Sequence, residues 1–169
     1  MNNEILFVER QKFTQWWLLL IVFGVNILSI FSVCKQIIDE EKFGEKPGDI
    51  ALLILTGMAL LFTVLFVNCR LDTTIKKDGI YVRFFPFHLK FRYYDWDSII
   101  KSYVRQYSPL IEYGGWGLRF GLFGKGTAFN VSGNTGLQLE FRNHKRLLIG
   151  TNKPDDLTET LNRIGQLKQ

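Results

Sequence analysis

The chain has 169 residues, about the length of one domain, with 47% hydrophobic, 15% aromatic and 22% charged residues and a formal charge of +5. This composition excludes a disordered chain and a collagen-like repeat, and two cysteines cannot build a disulfide framework. A mean hydropathy near zero hides two unlike halves.

The first half reads as a membrane hairpin. Residues Thr14 to Cys34 carry no charge and are almost all apolar, and a second uncharged run extends from Ile50 to Cys69. Each is long enough to cross a bilayer core as a helix, which takes about 20 residues. Core helices of soluble proteins keep a polar face, and neither run has one. Between them lies a loop with three Lys and five acids, broken by Pro47 and Gly48, in which Asp49 is placed to cap the second helix. Domain boundaries of 1–69 for the hairpin, with helices about 14–34 and 50–69, and 70–169 for the remainder follow.

Flanking charge sets the expected orientation. Lys35, Lys42 and Lys46 lie on the loop side, against Arg10, Lys12, Arg70, Lys76, Lys77 and Arg83 on the other. The excess places both termini in the cytoplasm of a two-pass inner-membrane protein. Cys34 and Cys69 would then lie at opposite membrane faces and could not pair. The spans hold no ionisable residue, so they do not suggest a transport path. Asn26, Ser29, Ser32, Thr56 and Thr63 read as helix-packing groups.

From Arg70 onward there are sixteen Lys and Arg against nine Asp and Glu. Such a surplus beside a membrane attracts anionic headgroups. It would also suit nucleic acid, but no nucleic-acid-binding signature is present, so none is expected as a partner. The period-2 pattern predicts antiparallel strands. Leu71–Ile75 and Ile80–Phe85 flank a Lys77-Asp78-Gly79 turn. In the next segment Leu89, Phe91 and Tyr93 alternate with Lys90 and Arg92. This predicts one outer face shared by Arg83, Lys90 and Arg92, with Lys76 and Lys77 at the turn. Further strands are expected over Ile99–Tyr107, Leu118–Phe123, Ala128–Val131, Leu137–Phe141 and Arg146–Ile149. A closing amphipathic helix starts near Lys153-Pro154-Asp155-Asp156, with Leu157, Leu161, Ile164 and Leu167 on its apolar stripe. The fold class expected is α+β: a two-helix transmembrane hairpin, then an antiparallel barrel or sandwich of about seven strands capped by a helix.

Three stretches carry a family likeness: Ile75-Lys-Lys-Asp-Gly-Ile-Tyr-Val, Tyr113-Gly-Gly-Trp-Gly-Leu-Arg119 and Leu148-Ile-Gly-Thr-Asn-Lys-Pro-Asp-Asp-Leu157. With the order of elements, the run from Leu71 to Leu167 resembles a bacterial pleckstrin-homology-like (PH-like) domain. The whole chain is similar to small bacterial membrane proteins that carry one behind a two-helix hairpin. The resemblance implies a fold and a membrane-side location, and binding of peptides, proteins or lipids rather than a reaction. In phospholipid-binding members, bases on the first strands hold phosphates, which makes Lys76, Lys77, Arg83, Lys90 and Arg92 a candidate anionic-ligand or lipid face.

A second candidate is the segment Tyr113, Gly114, Gly115, Trp116, Gly117 and Arg119, where glycines open backbone conformations closed to other residues and Arg119 offers an anion contact. It also reads as a strand start with a bulge and a packing Trp. The run Gly121–Thr127 lacks the Lys-Ser/Thr pair of a phosphate loop and reads as a hairpin loop. His88 and His144 stand apart, with no partners at metal spacing. No catalytic residue, cofactor or metal is expected. The leading expectation is a non-enzymatic membrane protein whose PH-like domain recruits or regulates a protein partner. The alternative is binding of anionic lipid or a small anionic ligand through the basic face.

Overall fold

The computed structural model of the chain describes residues 4–13, 15–39, 43–44, 46–121 and 124–168. The chain forms two compact units, one being Thr14–Asn68 and the other the N-terminal segment together with everything from Cys69 onward. The residues up to Phe13, grouped above with the hairpin, therefore belong to the second unit. They form strand β1 (Ile5–Lys12), antiparallel to β2 (Arg70–Lys76), with Phe7 opposite Ile75 and Lys12 opposite Arg70. The alternation along β1 is regular, but two of its inward positions are Glu9 and Gln11. A search for apolar alternation misses such a strand.

The hairpin unit contains α1 (Trp16–Asp39) and α2 (Pro47–Asn68), both long and apolar enough to cross a membrane. Pro47, expected to break structure, instead opens α2 at the position where a missing N–H costs nothing. Asp49 lies inside the first turn, fully buried, and its carboxylate accepts from the backbone N–H of Gly44 (2.9 Å) and Lys46 (3.3 Å) and from the Gln36 amide. Midway along the helices, Asn26 Nδ2 donates to Thr63 Oγ1 at 2.6 Å and to Val22 O. In a membrane such a polar clamp between helices is worth about 1 kcal/mol. The expected helix start at Thr14 and much of the charged interhelical loop lie outside the described residues.

The second unit contains two sheets. One has the order β1-β2-β3-β4, with β3 (Gly79–Phe85) and β4 (Arg92–Asp95). The other has the order β5-β8-β9-β7-β6: β5 (Ile99–Gln106), β6 (Gly117–Phe120), β7 (Thr127–Asn130), β8 (Thr135–Phe141) and β9 (Arg146–Gly150). Among the described residues nine strands form two unclosed sheets, where the sequence predicts a barrel or sandwich of about seven. The β7–β9 pair is parallel, against the all-antiparallel expectation. At its start the backbones come so close that a Cβ on Gly126 (φ 85°) would lie 2.2 Å from Arg146 O. Only glycine fits there. A short helix, α3 (Pro109–Tyr113), capped by Ser108, precedes β6. Leu122 and Phe123, at the end of the strand expected over Leu118–Phe123, lie outside the described residues.

One apolar core fills the space between the sheets, with Leu71, Ile80, Val82, Leu137 and Leu139 fully buried. Each contributes about 1.5–3 kcal/mol relative to exposure. The closing helix α4 (Pro154–Arg163) adds Leu157 and Leu161 to this core. It is shorter than its apolar stripe predicts, since Gly165 turns the chain at φ 65°. Ile164 and Leu167 still pack on the core, and Lys168 pairs with Ser102 on β5.

Buried polar groups fasten β1 to the turn between β9 and α4. The Glu9 carboxylate accepts from Thr151 Oγ1 (2.6 Å) and Asn152 N–H (2.8 Å), and Gln11 Nε2 donates to Gly150 O at 2.7 Å. The outer face carries a different row. Arg10, Asp72 and Arg83 stand directly opposite one another on β1, β2 and β3. Arg10 Nε and Arg83 Nη2 contact the two Asp72 oxygens at 2.7 and 2.6 Å, and Arg70 Nε lies 3.4 Å away. Burial pushes the Asp72 carboxyl up, but the hydrogen bonds from Arg83 and Arg10 outweigh it and hold the group below its ordinary value.

A fragment beginning at residue 70 lacks β1 and is expected to be insoluble or loosely folded. Since Lys12 and Arg70 are paired, joining Ile5–Lys12 to Arg70 through an Asn-Gly turn in place of the hairpin should restore a cooperatively unfolding soluble domain. Thermal denaturation of the two fragments checks this. In the joined form Asp72→Asn should cost about 2 kcal/mol near neutral pH. Because the folded carboxyl is held below its ordinary value, that stabilisation is complete above the ordinary value and is lost as pH falls through the depressed one, so wild type and variant should converge in acid. Denaturant titrations across that range read the difference.

Candidate functional site

Antiparallel register decides which way each base on the first strands points. Arg92 pairs with Val82 and Tyr94 with Ile80, so both lie on the inward face, whereas Arg83 lies outward with Asp72. The shared outer face expected for Arg83, Lys90 and Arg92 therefore does not form. Residues Leu89–Phe91 are not a strand, and Lys90 sits in the loop ahead of β4. Lys76 lies over the Tyr81 ring at 4.7 Å, and Lys77 pairs with Glu4 at 2.6 Å. The structure thus scatters the five bases, and Arg83 is occupied by Asp72.

Arg92 instead lines a cleft of about 670 Å³ that opens beside β4, between the two sheets. β4 is an edge strand, and among the described residues no strand pairs with its far side. The floor is apolar and aromatic: Phe129 of β7, Phe141 of β8 and Leu147 of β9. Tyr94 stacks on Phe141 at 5.5 Å between centroids, and the Arg92 guanidinium stands 6.0 Å from the Phe129 ring. The rim is the β8–β9 turn, which presents Arg142, Asn143, Lys145 and Arg146, all exposed. Four cations therefore face a single lining carboxylate, Asp95.

The rim is fixed in place. The Arg142 backbone N–H donates to Ser98 O at 3.0 Å, and its Nε donates to Asp97 O at 2.8 Å. Arg146 Nε lies 3.6 Å from Glu140 Oε1 on its other side. Among the described residues Lys145 and Arg92 make no ion pair. Burial pushes the Tyr94 hydroxyl up against the pull of Arg92, so it is a neutral donor at physiological pH. His88 packs edge-on against Phe129 at 5.3 Å. Burial and then the Arg92 charge hold its pKa below the ordinary value, leaving the ring neutral near pH 7. Chemically the cleft offers charge-assisted hydrogen bonds, aromatic surface and a free strand edge, a combination suited to an extended acidic segment. Among the described residues no group of three His, Cys, Asp or Glu side chains gathers.

The glycine-rich segment is used internally. Gly114 ends α3 in the left-handed region at φ 70°, with its N–H on Leu110 O. Tyr113 is buried against Tyr107. Trp116 Nε1 donates to Gly133 O at 3.2 Å, Gly117 N–H to Asn130 Oδ1 at 2.9 Å, and Arg119 Nε to Trp116 O at 3.0 Å. Gly115 is buried beside them. The segment fastens β6 to β7, and its exposed cation is Arg119. Nearby, Arg105 makes two hydrogen bonds to Glu112 (3.2 and 2.9 Å) and two to Gln138, a balanced cluster on the outer side of the second sheet.

Sequence reasoning finds Arg92 and misses Arg142, Lys145 and Arg146. The available signal is the run Arg142-Asn143-His144-Lys145-Arg146, which packs three cations into one tight turn between two apolar strands. Compared with known proteins, the chain matches no family model, no curated protein and no solved structure at a significant level.

Proposed function

We propose that the protein is a non-enzymatic, two-pass inner-membrane protein, with both termini cytoplasmic, whose strand-rich unit is a PH-like recognition domain. Its task on this reading is to recruit or regulate a protein partner by holding an acidic, extended segment in the cleft beside β4. The observation that carries the reading is the cleft itself: three cations on the rim and Arg92 on β4, an aromatic floor and an unpaired strand edge in one place. Backbone pairing with β4 would supply affinity, while Arg92, Arg142 and Lys145 would select acidic side chains. Many antiparallel strands followed by one amphipathic helix agree with the PH-like order. The unclosed sheets and the parallel β7–β9 pair depart from it.

The test is affinity purification of the tagged full-length protein from its native membrane in gentle detergent, in wild-type, Arg142→Glu/Lys145→Glu and Arg119→Glu forms. A stoichiometric partner should accompany wild type and the Arg119 variant. It should fall by about tenfold or more with the rim variant, since each charge-assisted contact is worth roughly 1.5–3 kcal/mol. Equal recovery from all three forms would remove the cleft from the interaction.

A further inference from the structure

Between Asp78 and Asp95 the chain has no acidic residue. In the middle of this stretch, the loop between β3 and β4 turns Phe87, Leu89 and Phe91 to solvent, 67%, 75% and 43% exposed. The loop is shaped rather than frayed. The His88 N–H donates to Phe84 O at 2.8 Å, and its Nδ1 accepts from Phe84 N–H at 3.4 Å. With its ring against Phe129, His88 anchors the loop inward while the apolar side chains flanking it stand outward. Soluble surfaces rarely group large apolar residues this way without an interaction to serve.

Cations surround the loop. The Arg83 guanidinium lies 4.5 Å over the Phe91 ring, Arg70 lies 5.1 Å over Phe85, and Lys90 is exposed in the loop. Connectivity adds a constraint. β3 ends at Phe85 opposite Arg70, and Arg70 in turn pairs with Lys12. The loop therefore leaves the sheet at the end where the chain enters and leaves the hairpin. Only Cys69 separates α2 from β2, and residues 13–15 separate β1 from α1. Asn68 to Arg70 can span no more than about 8 Å, which keeps this sheet end within reach of the headgroup layer where the helices end.

We propose that the loop Pro86–Phe91 docks into the anionic interface of the bilayer that the hairpin spans. Phe87 and Leu89 enter the boundary between headgroups and acyl chains, and Lys90 and Lys12 meet lipid phosphates. Aromatic and leucine side chains beside basic residues are the chemistry that binds such an interface. The docking rests on the reading of the two apolar helices as spans and is independent of the cleft.

The test uses the full chain in phosphatidylcholine vesicles containing phosphatidylglycerol, in a Cys34→Ser background, since Cys34 is exposed and Cys69 buried. An environment-sensitive fluorophore is placed in turn at Leu89→Cys, at Leu55→Cys within α2 and at Ile111→Cys on α3. These residues are 75%, 63% and 79% exposed. Lipids spin-labelled near the headgroup should quench the Leu89 probe, whose emission shifts to the blue, and lipids labelled deep in the acyl chain should quench the Leu55 probe, while the Ile111 probe stays water-like. Phe87→Cys gives the same readout if the Leu89 variant does not fold. A quenched Leu55 probe with a water-like Leu89 probe overturns the docking and leaves the spans standing. An unquenched Leu55 probe overturns both. Shielding of Leu89 that disappears as protein is diluted into excess lipid assigns the loop to a second copy of the chain and also overturns the proposal.

Discussion

The second unit is held together by a strand that the sequence places on the far side of the hairpin. β1 pairs with β2 along its length and sends Glu9 and Gln11 inward to the turn that starts the last helix. A buried carboxylate is tolerable only when donors satisfy it, and here a hydroxyl and a backbone N–H do so. The same contacts fix the turn ahead of α4, and through it Leu157 and Leu161 at the edge of the core. The first and last segments of the chain are thus bound by hydrogen bonds that neither makes alone.

Strand register also decides which positive charges remain available. On the outer face of the first sheet, one carboxylate, Asp72, is shared among Arg10, Arg83 and Arg70. On the second sheet Glu112 occupies Arg105. The cations left over include Arg142 and Lys145 at the β8–β9 turn and Lys90 in the loop ahead of β4. Net charge alone does not reveal this, because it counts an arginine locked in a ladder equally with one on an open rim. The two surfaces differ in kind: the turn faces an aromatic cleft, and the loop carries its apolar side chains outward.

Much of the architecture was legible in the sequence because it follows from periodicity. The two apolar runs became helices, and most alternating segments from Leu71 to Ile149 became strands at nearly the expected positions. The failures have physical causes. β1 carries polar residues at two inward positions, which the contacts of Glu9 and Gln11 with the turn between β9 and α4 explain only once the fold is known. Leu89, Phe91 and Tyr93 alternate like a strand, yet all are exposed, since β4 is too short to include the first two. Strand order in the second sheet, with β9 beside β7, is a long-range property that no local pattern encodes. The candidate site was legible only through Arg92, because a cleft is assembled from the ends of strands far apart in the chain.

The pairing of β1 with β2 has a consequence for biogenesis. The strands flank the hairpin in sequence, so if its two apolar helices cross a bilayer, β1 and β2 can meet only when both emerge on one side. A chain in which a single helix inserted would leave β1 and β2 on opposite sides, with Phe7, Glu9 and Gln11 unpaired and the core open. With two spans, pairing of β1 with β2 would therefore depend on an even number of crossings.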